Sequence, residues 1–541
     1  MNRSPFKFWL KSALGSVPGL AEKYQDWVGQ SPYGNTYRLD QLLETLPRWR
    51  QAAADAALQP DENPRRILLV AYLRWWLEYD VALGMMLDAV GHHIDMGLIP
   101  YYRWTRPLTS FDTHRRQHYV RQMLSEQSVP FKILDLYRGG VDALPVDLEA
   151  SMQEQSVLDV QYTLQREDID PLGEHHELYQ LRLERNRAAA RAAYGLLQSE
   201  HFDTVIIPNG SILEFGAIYR TARYVQVPVV TYEFGEQRQR MWLAQDGEVM
   251  RLDTTVLWKA KGNQPLNNEE REKIETLYQA RRGARTWGQF KRQWQANPSQ
   301  GAQQAAEKLG LNPERPMVLL CTNVVGDSLA LNRQVFTQGM SDWLEVTVKH
   351  FAERPQAQLV VRVHPGELLG AGHPSVDIVR QALPQLPEHV IVVPPEDNIN
   401  TYDLFELTHF GLTYTTTVGM EMAMFGVPVI VSGATHYRHK GFTVDPDTLD
   451  GYLAAIDNWL DHPEQCTIDS RQSQLAWRYA YRFFFELPFA FPWHLVTFWE
   501  DLEQRPFESV MTAESLAPYR ETLKALSGQP IDWKSRKAVQ V

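Results

Sequence analysis

The sequence predicts an α/β protein built of two tandem doubly wound domains, and three observations carry that reading. Short apolar runs recur in two series, each run followed by a helical pattern, as expected of parallel strands covered by helices on both faces. A polar stretch rich in Gln, Arg, Asn and Lys, at about 260–310, separates the two series. The chain of 541 residues is 44% hydrophobic, long enough for several domains and apolar enough to fill their cores.

Residues 1–60 read as a helical extension. Ser4 can cap and Pro5 can take the first helical position; Phe6, Trp9, Leu10, Ala13 and Leu14 then follow helical spacing, with Lys7 and Lys11 elsewhere on the wheel. Such a stripe usually packs on the body of its own protein, which is the expectation here. The alternative is peripheral contact of residues 4–15 with an anionic membrane.

The first domain is expected over 61–290. "RILLVAY" (66–72) reads as a buried strand and "YDVALGMMLDAVGHH" as helix. A charged insert follows at 101–200, with the strand-like "FKILDLY" and a long polar helix near 174–200. "DTVIIPNG" is strand and turn, "SILEFGAIYRTARYVQ" helix, and "VPVVTYEFG" strand. The second domain, 310–470, has strands in "PMVLLCTN", "AQLVVRVHP", "HVIVVPP", "HFGLTY" and "VPVIVSG". Residues 471–541 read as aromatic helices. There Trp477, Tyr481, Phe484 and Phe485 recur at helical spacing, and Arg478, Arg482 and Glu486 fall four apart, which favours a packed helix with one polar stripe over a helix sunk in lipid.

Composition excludes several classes. The net charge of −12 does not attract nucleic acid globally. Two distant cysteines, Cys321 and Cys466, make neither a disulfide framework nor a zinc spacing, so a reducing, cytoplasmic setting is expected. No signal peptide is recognised at the start, and no apolar run is long enough to span a bilayer.

In open α/β sheets, ligands bind beyond the carboxyl ends of the strands. After "HFGLTY" come Thr415, Thr416 and Thr417, then a helix, "VGMEMAMFG", with Gly419 and one carboxylate, Glu421, among methionines. Hydroxyls and free N–H groups at a helix start suit a phosphate. A capping box would need Ser or Thr at 418, which is Val, so Glu421 is expected to take its donors from outside, as ribose hydroxyls. Together they describe a nucleotide. Other strand ends add His364 and Pro365, then Asn323 and Asp327, and the basic cluster Thr435, His436, Tyr437, Arg438 and Lys440, which can neutralise a diphosphate, a solvated loop being the plainer alternative. "VVPPEDNINTYDLF" is expected to frame a base.

"RVHPGE", the run "PPEDNINTYDLFELTHFGLTYTTTVGMEMAMFGVPVIV" and the closing "RYAYRFFFE" resemble bacterial capsular-polysaccharide and surface-carbohydrate glycosyltransferases of the GT-B type, over residues 315–490. "IIPNGSILEFGAIYRTARYVQVPVVTYEFG" resembles their first-domain motif more faintly. The resemblance implies two Rossmann-like domains, a nucleotide-sugar donor in the second, a carbohydrate acceptor in the first, and a tail crossing back between them. It places His364, Thr416, Thr417 and Glu421 at the donor.

Transfer of a sugar needs a deprotonated acceptor hydroxyl and a stabilised leaving phosphate. His364 and the Thr417 helix start serve the phosphate. Glu233, closing a buried strand before a glycine, is the candidate base, with Glu214 and His92 behind it; the plainer alternative for Glu233 is an ion pair with Arg238 or Arg240. No metal or other cofactor is required. Asp168-Ile169-Asp170 lies in a charged turn, and neither a Gly-x-Gly-x-x-Gly nor a P-loop motif occurs. Two rivals share this architecture: a nucleotide-sugar 2-epimerase, and a non-catalytic nucleotide-binding subunit of a polysaccharide assembly complex.

Overall fold

The computed structural model describes residues 5–32, 39–56, 58–72, 75–99, 104–124, 129–134, 136, 140–284, 297–369 and 374–539. Its first sheet gathers β1 (Arg66–Tyr72), β2 (His93–Ile99), β3 (Lys132–Leu134), β4 (Thr204–Pro208), β5 (Val229–Phe234) and β6 (Arg240–Gln245). The second gathers β7 (Met317–Cys321), β8 (Gln358–Arg362), β9 (Val390–Val393), β10 (Thr408–Thr413) and β11 (Val429–Val431). The spatial orders are β3-β2-β1-β4-β5-β6 and β9-β8-β7-β10-β11. Both run outward from the first strand and then reverse, the Rossmann-like doubly wound order that opens a crevice at the reversal. All neighbours are parallel except β5 with β6. Each sheet is buried on both faces, giving two cores per sheet.

Apolar patterning misses β6 and, more tellingly, β2. Asp95 interrupts its hydrophobic run, yet it is fully buried because Arg66 on the neighbouring β1 holds it at 2.6 Å. The stretch 101–200 is more than an insert: it supplies the edge strand β3 and the helices Val146–Leu164 and His176–Ser199, which cover one face of the sheet.

The polar stretch near 260 also reads differently in three dimensions. Helices Thr255–Lys261 and Asn268–Arg282 pack on the second sheet, not the first, through Leu257, Ile274, Leu277 and Tyr278. Their apolar residues are few but lie on one side, so low average hydropathy concealed an amphipathic face.

The tail joins the two halves. Helix Ser470–Tyr481 lies on the second sheet and widens at its end, where Leu487 N–H donates to the Arg482 carbonyl five residues back. A short strand, β12 (Phe489–Ala490), then adds antiparallel to β6 at the edge of the first sheet. Trp493, Phe498, Phe507 and Leu523 finish in the first core.

A second bridge lies at the Glu167 carboxylate, which accepts the Met340 and Ser341 N–H groups at 3.0 and 2.6 Å, so a first-sheet loop caps a second-sheet helix. Gly326, at φ 73°, lets this junction close, since a Cβ there would stand 2.6 Å from Gln165 Cα. Among the described residues no helix is long and apolar enough to cross a membrane.

Candidate functional site: a strand-end pocket and an aromatic cleft

The crevice of the second sheet is a pocket lined by Cys321, Thr322, Arg362, His364, Pro365, Thr416, Thr417 and Val418 from the strand ends, and closed by Arg281, Asn400, Thr401 and Tyr402. His364, Pro365, Thr416 and Thr417 are therefore brought together as the sequence implied. His364 is fixed at backbone and ring: its backbone N–H donates to Thr322 Oγ1, and Gly366 N–H donates to its ring Nδ1 at 2.9 Å. The neutral ring thus carries its hydrogen on Nε2.

Arg362, the last residue of β8, was not singled out by sequence reasoning, although the strand-end rule points to it. It is buried, and its Nη atoms donate to the carbonyls of Pro394, Asp397 and Ile399, which fixes the loop above the pocket. Its Nε is buried without a hydrogen-bond partner. Burial holds its pKa below the usual guanidinium value. A buried cation with one unused donor, in a pocket wall, fits an anion.

Glu421 overturns its expectation. It is buried, 2.9 Å from Arg281 Nη2, and it accepts the Tyr402 hydroxyl at 2.7 Å. Its donors come from the protein, and Arg281 and Tyr402 face the pocket in its place. Arg281, which also meets Glu236 at 3.2 Å, escaped notice because it lies in the stretch read as a boundary.

Other predicted residues turn out to be scaffolding. Asn323 Oδ1 accepts Thr415 N–H, and Thr415 Oγ1 donates to the Leu329 carbonyl, which pins two loops together. Tyr437 is fully buried and donates to the Thr416 carbonyl at 2.7 Å, positioning Thr416 from behind. Gly419 lets that ring approach, since a Cβ there would stand 2.4 Å from the Tyr437 hydroxyl. Arg438 points away from the pocket, held by the Val431 carbonyl and Asp447. His436 stacks on Phe483 with centroids 4.2 Å apart, and burial pushes its pKa down to about 3, so it carries no positive charge near neutrality. Thr435, His436, Tyr437 and Arg438 are used in folding the loop, and no residue of the basic cluster lines the pocket.

A second pocket lies where the two sheets face each other. Tyr72, Trp76, Trp104, Tyr162, Phe215 and Trp242 give it aromatic walls; Asn209 and Glu233 come from the ends of β4 and β5, and Asp327 to Leu329 from the opposite sheet. Asp327 thus belongs to this cleft and does not line the second-sheet pocket. Glu233 accepts from Asn209 Nδ2 at 3.0 Å and from Phe234 N–H at 3.2 Å. Burial raises its pKa to about 7 against those bonds. The ion pair weighed for Glu233 does not form: Arg238 meets Glu500 and Asp501, while Arg240 donates to the carbonyls of Phe484 and Val539. Burial raises the Asp327 carboxyl too.

The two reserve bases are excluded by position. Glu214 is fully buried against Arg182 at 3.2 Å. His92 precedes β2, at the opposite end of the sheet, and accepts Arg65 N–H. Asp168 pairs with Arg166, and Asp170 accepts N–H groups of its own turn. Among the described residues no group of three His, Cys, Asp or Glu side chains is arranged to hold a metal.

With that geometry in hand, residues 276–458 match the family model described as capsule polysaccharide biosynthesis protein. The match spans about a third of the chain. Every residue lining the second-sheet pocket lies within that matched segment. The chain matches no curated protein. Among solved structures it is similar to the Thermosulfurimonas dismutans KpsC beta Kdo 2,4 transferase, at 19% identity over 51% of this chain and 79% of that one, with a TM-score of 0.34. It is also similar to a UDP-GlcNAc 2-epimerase from Neisseria meningitidis bound to UDP-GlcNAc (11% identity, 77% and 97% covered, TM-score 0.23) and to the calicheamicin glycosyltransferase CalG4 (15%, 78% and 94%, 0.25). These TM-scores are low, and the fold assignment rests on the strand order.

Proposed function

We propose that the chain is a GT-B-type glycosyltransferase that moves a sugar from a nucleotide donor, held in the pocket of the second sheet, to a surface or capsular glycan held in the aromatic cleft. The observation that carries this is Glu233: a buried carboxylate with a pKa of about 7, facing a pocket walled by aromatic rings. Aromatic faces suit the apolar faces of sugar rings, and a base with that pKa is half ionised near neutrality. A second, aromatic site beside the base favours transfer to an acceptor over epimerisation of the donor alone.

In this reading Glu233 takes the proton of the acceptor hydroxyl as that oxygen bonds to the anomeric carbon. The bond from that carbon to the donor phosphate breaks, and the electron pair leaves with the phosphate. Arg362 and His364 Nε2–H stabilise the charge that builds there, with the hydroxyls of Thr416 and Thr417 beside them. A base on the acceptor side implies direct displacement with inversion. The pocket's own cations supply the positive charge, so a metal is not part of the proposal. The two cysteines, both buried free thiols, fit a reducing cytoplasm.

Thermal shift with uridine, cytidine and guanosine nucleotides tests the donor site, because a bound ligand raises the melting temperature. Product analysis with the stabilising nucleotide sugar then tests the reaction. Transfer to a glycan supports the proposal. Free epimer, or binding with no turnover toward any glycan acceptor, refutes it.

A further inference from the structure

The helices at the start of the chain present their aromatic side to solvent. Helix Pro5–Gly15 is held by its other face: Lys11 pairs with Asp112 at 2.9 Å, the Ser110 hydroxyl donates to the Ser12 carbonyl, and Gly15 sits against Ser110 and Phe111. Helix Leu20–Val28 is fixed to the same support, helix Ser110–Met123, through Gln25 with Arg115 and Asp26 with His118. What remains outside is Phe6, 65% exposed, Trp9, 64%, and Trp27, 82%, joined by Leu10, Leu14 and Val17. The expectation that the Phe6–Leu14 stripe packs on the body is therefore corrected: the stripe faces away, and short polar contacts do the docking.

These six side chains, together with Phe8 and Tyr24, leave an apolar surface over two adjoining helices and the turn between them, unusual for a folded chain. The rings are paired, Phe6 with Trp9 at 6.2 Å and Tyr24 with Trp27 at 5.9 Å. The surrounding charge has the opposite sign to the whole. The three helices carry Lys7, Lys11, Lys23, Arg115, Arg116 and Arg121 against Glu22, Asp26 and Asp112, in a chain of net charge −12. Lys7 and Lys23 are exposed. Aromatic rings beside lysines on an acidic protein match the interface of a bilayer with anionic headgroups: rings enter the headgroup layer while ammonium groups meet phosphates. The position also makes sense. Helix Ser110–Met123 begins just after Trp104, which walls the aromatic cleft, so the surface is tied to the mouth of that cleft by a few residues.

We infer that Phe6, Trp9, Leu10, Leu14, Val17 and Trp27, with Lys7 and Lys23, form a docking surface for an anionic lipid bilayer. This does not depend on the reaction proposed above. The test is sedimentation of the full chain with phosphatidylcholine vesicles, with and without phosphatidylglycerol. Binding is expected with phosphatidylglycerol only, falling as salt rises, and the double variant Trp9→Ala/Trp27→Ala should bind roughly tenfold more weakly or less. Lys7→Glu/Lys23→Glu, whose sites are exposed, should weaken it comparably and keeps the test alive should the tryptophan variant fail to fold. Equal binding by both variants, no vesicle binding by the wild type, or a wild-type dimer that the tryptophan variant converts to monomer would each overturn the inference.

Discussion

The Glu421 carboxylate stands 2.9 Å from the Arg281 guanidinium and accepts the Tyr402 hydroxyl, so one charge in an apolar helix ties together three walls of the second-sheet pocket. The helix before the second sheet, the loop above the pocket and the helix after β10 all meet there. The carboxylate acts on the pocket through Arg281 and Tyr402.

Glu421→Ala should therefore melt earlier than the wild type. It leaves the buried Arg281 with Glu236 as its remaining carboxylate, a loss of about 2–4 kcal/mol, below the cost of a fully orphaned charge. Nucleotide affinity should fall as a consequence, and Glu421→Gln should lie between. Urea denaturation read beside nucleotide titration decides it. A variant of wild-type stability that no longer binds nucleotide would make Glu421 a ligand contact after all.

Glu233 predicts a pH dependence of both rate and stability. Its folded pKa, about 7, is raised by burial above the ordinary carboxyl value, so its neutral form is favoured in the folded state. The stability this gives is full below the unfolded pKa and is lost as pH rises through about 7. Wild type should therefore lose up to about 3 kcal/mol relative to Glu233→Gln between acid and mildly alkaline pH. The rate runs the other way: kcat/KM should rise with pH to a plateau above the same value, and Glu233→Gln should lose at least about a hundredfold. A pH–rate profile of the same shape in the variant would assign the base elsewhere.

His364 and Arg362 should divide their effects differently. His364→Ala removes an oriented donor whose bond strengthens as charge builds on the leaving phosphate, so kcat should fall roughly a hundredfold with little change in melting temperature. Arg362 also holds three carbonyls of the loop above, so Arg362→Lys should lower both stability and nucleotide affinity. Steady-state kinetics with nucleotide titration separates the two. Unchanged turnover in His364→Ala would remove it from the donor site.

The sequence made the strands legible wherever they were uninterrupted apolar runs, and the crevice legible through the residues that follow them. His364, Thr416 and Thr417 were found because a strand end says where a side chain will stand. It does not say which way the side chain turns. Arg438 and His436 follow β11 as expected, but a nearby carbonyl, a carboxylate and an aromatic ring claim them. Glu421 looked unpartnered because Arg281 lies 140 residues earlier in sequence, in a stretch too polar on average to look like part of a core. The aromatic cleft was invisible for a related reason: its rings come from five segments of the first half, and only the sheet assembles them.

The tail is the part whose removal should do the most damage. Arg536 donates to the carbonyls of Glu486 and Pro488 and lies 3.6 Å above the Phe489 ring, locking the chain where it passes from one sheet to the other. Beyond it, Phe507 stacks on Trp49 with centroids 5.0 Å apart, and the Thr204 hydroxyl donates to the Ser527 carbonyl. Truncation after residue 470 would strip β12 from β6 and uncover Trp49 and Tyr79. A bare sheet edge beside exposed aromatic rings invites aggregation, so that truncation should be recovered mainly as insoluble protein. Arg536→Ala is the gentler version: losing two buried charge-assisted hydrogen bonds and a cation–π contact should cost roughly 2–4 kcal/mol in urea denaturation while leaving the chain soluble. A soluble truncation that still responds to nucleotide and transfers sugar would show that the tail is an accessory to the two sheets and not the piece that joins them.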